Sequence, residues 1–402
     1  MSILVVNAGS SSVKFALFRF DSLEPTATAL LDWHGHSQQA LLTLSRPNQE
    51  TESHQLDAPD YRSGVANSLS MLRHALVDVD EAGFAIRVVG HRLIHGGEEI
   101  RRPVRIDAKM KKTIAGFAQL APLHIPPGLE AIAASEAALP DVAQVGVFDT
   151  AFYAHIPPAA FVYPLPYQWY EQWGIRRFGY HGISHAYCSG RAAELLDRDS
   201  DETRLIICHL GQGASVTAVR GGVAVNNSMG FTPLEGLMMG TRSGTIDPGI
   251  LLHVQREHGL TVDELDEVLH HRSGLLGLSG VSSDFRKVED AAAVGSRRAQ
   301  LALDVYSHRV REQIGALTVC LGGLDALVFT GGIGENSTWL RREVCRGLEC
   351  LEVHLDDHRN ETCQPDCDVA SGDSRARILV IHTREDLMIA RQARQLVANG
   401  ES

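Results

Sequence analysis

Two arginines of this 402-residue chain sit in short segments bounded by glycine. Arg92 lies in Gly90-His91-Arg92-Leu93-Ile94-His95-Gly96-Gly97, and Arg242 lies in Gly240-Thr241-Arg242-Ser243-Gly244. A guanidinium without bulky neighbours can grip a carboxylate or phosphoryl group through two parallel N–H bonds, as phosphoryl transfer requires. Asp149 follows the apolar run 145–148. A carboxylate at such a strand end faces the ligand crevice of an α/β sheet and can orient a nucleophile or a metal-bound water. His181, in Gly179-Tyr180-His181-Gly182, offers an imidazole of ordinary pKa about 6.5 that can donate to a transferring phosphoryl group. The plainer alternatives are a surface arginine in a turn and a hydrogen-bonded core histidine. Glu385 opens a terminal helix, where a carboxylate either complements the helix dipole or ligates Mg²⁺.

Glycine mixed with polar groups recurs at 7–14, 209–215, 230–248, 279–286 and 330–337, a composition that lets backbone approach a phosphorylated ligand closely. The P-loop and Rossmann fingerprints are both missing from the sequence, so a nucleotide would be held by several separate loops.

These loops need elements to carry them. Residues 3–6, the turn 7–12 and residues 13–18 read as strand, tight turn, strand, and 205–208, 209–215 and 216–219 repeat the pattern two hundred residues later. Each turn ends in Ser-Val, which predicts an internal duplication. Val65, Leu69, Leu72, Leu76 and Val79 mark an amphipathic helix, while 86–89, 145–148, 326–330 and 378–381 read as buried strands. Strand–helix alternation predicts an α/β fold with a mainly parallel or mixed sheet. The polar, proline-punctuated stretch 34–62 reads as a peripheral excursion. The expected domains are 1–150, joined by the terminal helix 386–402 packing back on it, and 151–385, the nucleotide-binding half.

With 37 Lys and Arg against 49 Asp and Glu, the net charge is −12, and no dense basic stretch occurs. Nucleic acid and anionic membrane are therefore not expected partners. No basic n-region or 18-residue apolar run is present, which makes the cytoplasm the expected compartment. Seven cysteines are expected to be reduced thiols. Cys345, Cys350, His354, His358, Cys363 and Cys367 lack the spacing of a zinc site.

Nine motifs in order resemble acetate kinase: Asn7-Ala8-Gly9-Ser10-Ser11-Ser12-Val13-Lys14, His91-Arg92-Leu93-Ile94-His95-Gly96-Gly97-Glu98, Ala121-Pro122-Leu123-His124, Phe148-Asp149-Thr150-Ala151-Phe152, Gly182-Ile183-Ser184-His185, Met229-Gly230-Phe231-Thr232-Pro233-Leu234-Glu235-Gly236-Leu237, Thr241-Arg242-Ser243-Gly244, Ser282-Ser283-Asp284-Phe285-Arg286 and Phe329-Thr330-Gly331-Gly332-Ile333-Gly334-Glu335-Asn336-Ser337. The resemblance runs from residue 3 to about residue 390. It implies a duplicated actin-like, ribonuclease H-like two-lobed fold with an active-site cleft between the lobes. It also implies reversible, direct in-line transfer of the ATP γ-phosphoryl group to acetate, with Mg²⁺, or Mn²⁺ in its place, and a homodimer.

By the same resemblance, Arg92 holds the substrate carboxylate, Arg242 and His181 the transferring phosphoryl group, and Asp149 helps place substrate and metal. Asn7 and Glu385 form the metal site. Lys14 contacts phosphate, and His209, Leu210, Gly211, Gln212 and Gly213 hold the β- and γ-phosphates. Asp284, Phe285 and Arg286, with Gly332, Ile333, Gly334, Glu335 and Asn336, enclose adenosine. Ile94, Leu123, Tyr180 and Pro233 border the acid's apolar tail. The chain departs from the family pattern at Ile125, Gly128, Tyr153, Gln212, Asn226 and Thr245, which bears on efficiency and substrate breadth. A propionate kinase is the nearest alternative. A non-catalytic nucleotide-binding protein on the same fold would lack the transfer groups that this chain keeps.

Overall fold

An unbroken apolar run predicts a strand covered on both faces, and residues 3–6 lie inside β1 (Ser2–Ala8), buried throughout. The computed structural model describes residues 1–9, 11–33, 38–77, 85–122 and 124–399. Ser10 and Leu123 are therefore outside the described residues.

β1 turns into β2 (Ser12–Arg19) as an antiparallel hairpin, and β3 (Pro25–Asp32), β4 (Gln39–Ser45) and β5 (Glu52–Asp57) extend the meander outward. On its other side β1 pairs in parallel with β6 (Ile86–Leu93), and β6 with β8 (Ala143–Phe148), beside the short β7 (Val104–Arg105). The stretch expected to be a peripheral excursion thus contributes β4 and β5, the free edge of an eight-stranded sheet. Its strands alternate buried and accessible residues, since only one face of this edge meets the core. The helix Tyr61–Val77 covers that face with Val65, Leu69 and Leu72 against Leu31, Leu42 and Ala131. Val79 and the side chain of Leu76, placed in this helix from sequence, lie outside the described residues.

A second sheet repeats the plan. β9 (Arg204–Leu210), β10 (Ala214–Arg220) and β11 (Val223–Asn227) form an antiparallel meander. β12 (Ala326–Thr330) pairs in parallel with β9 and with β14 (Arg377–Val380), and β13 (Cys367–Asp368) closes the edge. Meander strand, hairpin strand, central strand and two parallel additions follow the same order in both sheets, so the duplication heard in the loops is present in the topology.

The chain separates into two units, Met1–Ala154 with Arg384–Ser402, and His155–Thr383. The second boundary puts Glu385 in the first unit, with Arg92 and Asp149. Cys363 and Cys367 are joined as a disulfide, which corrects the expectation of reduced thiols for that pair, while Cys188, Cys208, Cys320, Cys345 and Cys350 are free.

The terminal helix Glu385–Asn399 rests directly on β6. A methyl group on Gly90 would come within 2.7 Å of Ile389 Cγ2 and 3.3 Å of Ala393 Cβ, so only glycine allows this approach. Gly90→Val should therefore lower folding stability by about 1–3 kcal/mol or more. Chemical denaturation measures it, and an unchanged midpoint would show that the helix gives way freely.

Candidate active site

Three neighbouring strands of the first sheet end together: Val6 is paired with His91, and Leu93 with Phe148. The residues just there are Asn7, Arg92 and Asp149. Arg92 donates through Nε and Nη2 to Asp149 Oδ2, at 3.2 and 2.8 Å, and through Nη1 to Asn7 Oδ1 at 3.3 Å. Glu385 Oε2 lies 3.8 Å from the same Nη1. Asp149 is wholly buried, so its charge depends on this guanidinium. Burial works against the Arg92 charge, but Asp149 and Glu385 beside it outweigh that and hold the guanidinium above its ordinary range. The sequence suggested an arginine open to a ligand; the folded chain gives it two carboxylates.

Lys14 is the strand partner of Asn7 across the β1–β2 hairpin and is exposed. Ile94 follows β6 and packs beside a cluster containing Leu93, Ile100, Ile125 and Phe148.

The second unit assembles histidines. His181 precedes the helix Gly182–Leu195 and takes a left-handed backbone conformation, φ 58°, uncommon outside glycine. Its Nδ1 lies 2.9 Å from Ser215 Oγ on β10. His209, on β9, has its Nδ1 2.8 Å from Ser184 Oγ on the helix, and Ser184 also reaches Thr383 Oγ1 at 2.8 Å. Each element thus supplies one imidazole and the serine that holds the other element's imidazole. The two rings are in contact, tilted by 37° with centroids 4.5 Å apart.

The turn between β9 and β10 closes with Gly211 N donating to Gly213 O at 3.0 Å. Leu210 is core, so only its backbone can meet a ligand. Gln212 is exposed and folds its amide over Gly240, whose N–H donates to the Gln212 carbonyl. This ties the glycine-rich turn to the segment bearing Arg242. Arg242 itself is half-buried; its side-chain hydrogen-bond partner is Met239 Sδ at 4.0 Å, and burial pulls its guanidinium below the ordinary range.

The segments assigned to adenosine divide by role. Asp284 caps the helix Phe285–Ala293, accepts from Arg286 N and pairs with the exposed Arg286 guanidinium at 2.9 Å. Phe285 is buried, edge-on to Tyr306, so its side chain belongs to the core rather than to a ligand. Glu335 spends its carboxylate on Gly331 N, Thr383 N and His382 Nδ1. Burial opposes its charge, yet these donors hold the carboxyl below the usual range. Gly332 and Asn336 remain exposed, with Asn336 Nδ2 donating to Gly332 O at 2.9 Å, while Ile333 is half-buried and Gly334 buried.

Tyr180 is wholly buried and its hydroxyl donates to Phe231 O at 2.8 Å. Tyr163 accepts from Phe231 N at 2.9 Å and bonds Glu235, which pairs with Arg177 at 2.6 Å. Arg177 Nη1 in turn caps the carbonyls of Asn227, Ser228 and Met229. The loop carrying the half-buried Pro233 is thereby braced on both sides. Arg341, also unassigned from sequence, is fully buried and donates to the carbonyls of Gly334, Glu335 and Asn360, and burial pulls its guanidinium down to about 10. Nothing in the local sequence announces these partners, although the i, i+3, i+4 spacing of His181, Ser184 and His185 does place them on one helix face.

A profile of the acetokinase family matches residues 2–391. The chain is 48% identical over 404 residues to an acetate kinase of a Cyanothece species, covering 99% of this chain and 98% of that one. It is 47% identical to an acetate kinase of Gloeobacter violaceus, covering 98% and 99%. Among solved structures it is similar to Porphyromonas gingivalis acetate kinase, with TM-score 0.91, 39% identity and coverage of 98% and 99%, and to a propionate kinase from Francisella tularensis, with TM-score 0.90, 37% identity and the same coverage. The sheets, their repeated order and the matched length agree, and the chain belongs to the acetokinase family, phosphotransferases whose acceptor is a carboxyl group.

Proposed function

We propose that this chain transfers the γ-phosphoryl group of ATP to acetate by direct in-line displacement, reversibly, giving acetyl phosphate and ADP. A carboxylate is already anionic at neutral pH, so no base is needed and no proton moves; the difficulty is bringing two anions together. The observation that supports this reading best is Arg242, a half-buried guanidinium with no carboxylate bonded to it among the described residues. A cation taken out of water without a counter-ion is costly, and a phosphoryl group would supply the missing charge. His181, beside the glycine-rich turn, donates to the same group.

In the first unit the charges already sum to one negative: Arg92 against Asp149 and Glu385. Arg92 can hold the substrate carboxylate only if that excess is offset. The donor set fits Mg²⁺, a hard cation that takes oxygen ligands, with Mn²⁺ a substitute. Asn7 Oδ1 and Glu385 Oε2 converge on one Arg92 nitrogen, at 3.3 and 3.8 Å, and would hold the ion. Once bound it supplies positive charge against the phosphate oxygens. Asp149 anchors Arg92, and Lys14 and the backbone of 209–213 serve the phosphates. Asp284 and Arg286 with 332–336 serve the adenosine. Ile94, Leu123 and Pro233 limit the acyl tail, and Tyr180 acts on it by holding Phe231.

A homodimer is supported by two helices, Pro248–His258 and Val262–His271, neither of which has a buried residue. Ile250, Leu252 and Val262 are 49, 52 and 71% exposed. Helices draw their stability from a packed face, and a second copy of the chain would provide it. No helix among the described residues is long and apolar enough to cross a membrane; the use of a nucleotide co-substrate supports placing the enzyme in the cytoplasm.

Turnover, folding stability, Mg²⁺ dependence and light scattering check these assignments. Arg92→Ala and Arg242→Ala should each lower kcat by about 10³-fold or more in an ADP-release assay with acetate. Only Arg92→Ala should also destabilise the fold, by about 3–5 kcal/mol, because it strands the buried Asp149 charge. Near-normal turnover in either variant defeats the two-arginine assignment. Glu385→Ala should raise the Mg²⁺ concentration needed for half-maximal rate several-fold, and an unchanged dependence would leave Glu385 a helix-dipole residue. Light scattering should give twice the chain mass, falling to one chain for Leu252→Glu with Val262→Glu; a native monomer refutes the dimer.

A further inference from the structure

His181 does not stand alone on Ser215. The hydroxyl that lies 2.9 Å from His181 Nδ1 lies 2.8 Å from His185 Nε2, one helical turn along. A serine hydroxyl has one proton and two lone pairs, so it can donate to at most one of the two rings, and a ring it does not donate to must donate to it. Ser215 and His185 are both wholly buried, so bulk water has no part in the exchange.

The opposite edge of His181 shows which order is useful. A methyl group built on Gly213 would come 3.2 Å from both Nε2 and Cε1 of His181, so that edge lies against the glycine-rich turn. An anion held at the turn needs a donor at Nε2, and a neutral imidazole with its proton on Nε2 has a bare Nδ1. Ser215 must then donate to His181 and accept from His185. The reverse order leaves the Nε2 lone pair facing the anion.

We propose that Ser215 and His185 are positioning residues for His181: His185 Nε2–H donates to Ser215 Oγ, Ser215 O–H donates to His181 Nδ1, and the proton left on His181 is presented at Nε2 to the phosphoryl group. No proton moves along this chain; it fixes a tautomer and a ring orientation. Burial, together with neighbouring His209, holds His185 well below the ordinary histidine range, so it stays neutral with a single N–H to give. The left-handed backbone of His181 is a strained conformation kept at a site that needs it, and the Ser215 bond is one of the contacts that hold it there. This inference rests on His181 as the donor to the phosphoryl group.

The test is steady-state kinetics on the full chain, after thermal melting of each variant. Ser215→Ala and His185→Leu should each lower kcat about 10- to 100-fold with KM for ATP and acetate little changed, a smaller loss than forcing the wrong tautomer outright. His185→Gln, whose amide N–H takes the place of Nε2–H, should recover most of kcat. In a His181→Ala background, Ser215→Ala should cost nothing further. An equal cost in that background, or His185→Gln as slow as His185→Leu, overturns the proposal. If Ser215→Ala does not fold, the comparison of His185→Gln with His185→Leu decides alone. A His181→Ala enzyme of normal kcat removes the underlying reading, whereas a slow His181→Ala with a fast Ser215→Ala removes only the chain through Ser215.

Discussion

Asp149 carries a carboxylate into complete burial at the end of β8, and the guanidinium bonded to it through two nitrogens, Arg92, stands at the end of the adjacent strand. Neither charge is tolerable there without the other. The pairing depends on parallel neighbours ending at one level, and so on the register of β1, β6 and β8. It depends equally on Gly90, because the helix that delivers Glu385 to Arg92 can lie on β6 only where a side chain is missing. Sheet register, helix approach and charge balance are thus one constraint in the first unit. Its outcome is a cluster at the strand ends with one negative charge in excess, two carboxylates against one guanidinium.

The second unit solves the complementary problem. There the Arg242 guanidinium has no carboxylate bonded to it among the described residues, and the half-buried imidazoles of His181 and His209 each have a serine hydroxyl as partner. Two imidazoles in contact would repel if both were charged; burial beside a second ring keeps His185 neutral. The cross-bracing of His181 by Ser215 and of His209 by Ser184 makes the helix Gly182–Leu195 and the β9–β10 hairpin hold each other's functional side chains. A ligand at the turn therefore meets preorganised groups, which is where most of the electrostatic advantage of a phosphotransferase arises.

Much of this was legible in the sequence where chemistry and chain are contiguous. The paired hairpins, the strand-end Asp149, the glycine-flanked arginines and the carboxylate opening the terminal helix are local signals, and they sit where local rules put them. What escaped was of two kinds. β4 and β5 read as polar because an edge strand buries alternate residues only, and such half-apolar patterns resemble loops. Ser215 with His181, Tyr163 with Glu235 and Arg341 with the carbonyls of 334 and 335 are partnerships of the fold, and separations of 34 and 72 residues carry no periodic trace. Phe285, grouped with Asp284 and Arg286 by resemblance, is the first residue of a helix and turns its ring inward onto Tyr306, which leaves its backbone as the part a ligand could reach.

The departures from the family pattern show how the fold absorbs change. Thr245, standing where an aspartate is common, accepts from Gly236 N through its hydroxyl and donates its own N–H to Gly236 O, closing the loop between them. Asn226 Oδ1 accepts from Asn227 N at 2.8 Å, and Tyr153 fills core volume. The substituted oxygens of Asn226 and Thr245 thus each have a protein donor and leave no unmet acceptor in their loops. Gln212 is different, because it remains exposed on the turn between β9 and β10. Its amide lies over Gly240, where a methyl group would meet the amide nitrogen at 2.5 Å, so a side chain at position 240 would push the flexible, exposed glutamine aside and change what the turn presents to its surroundings.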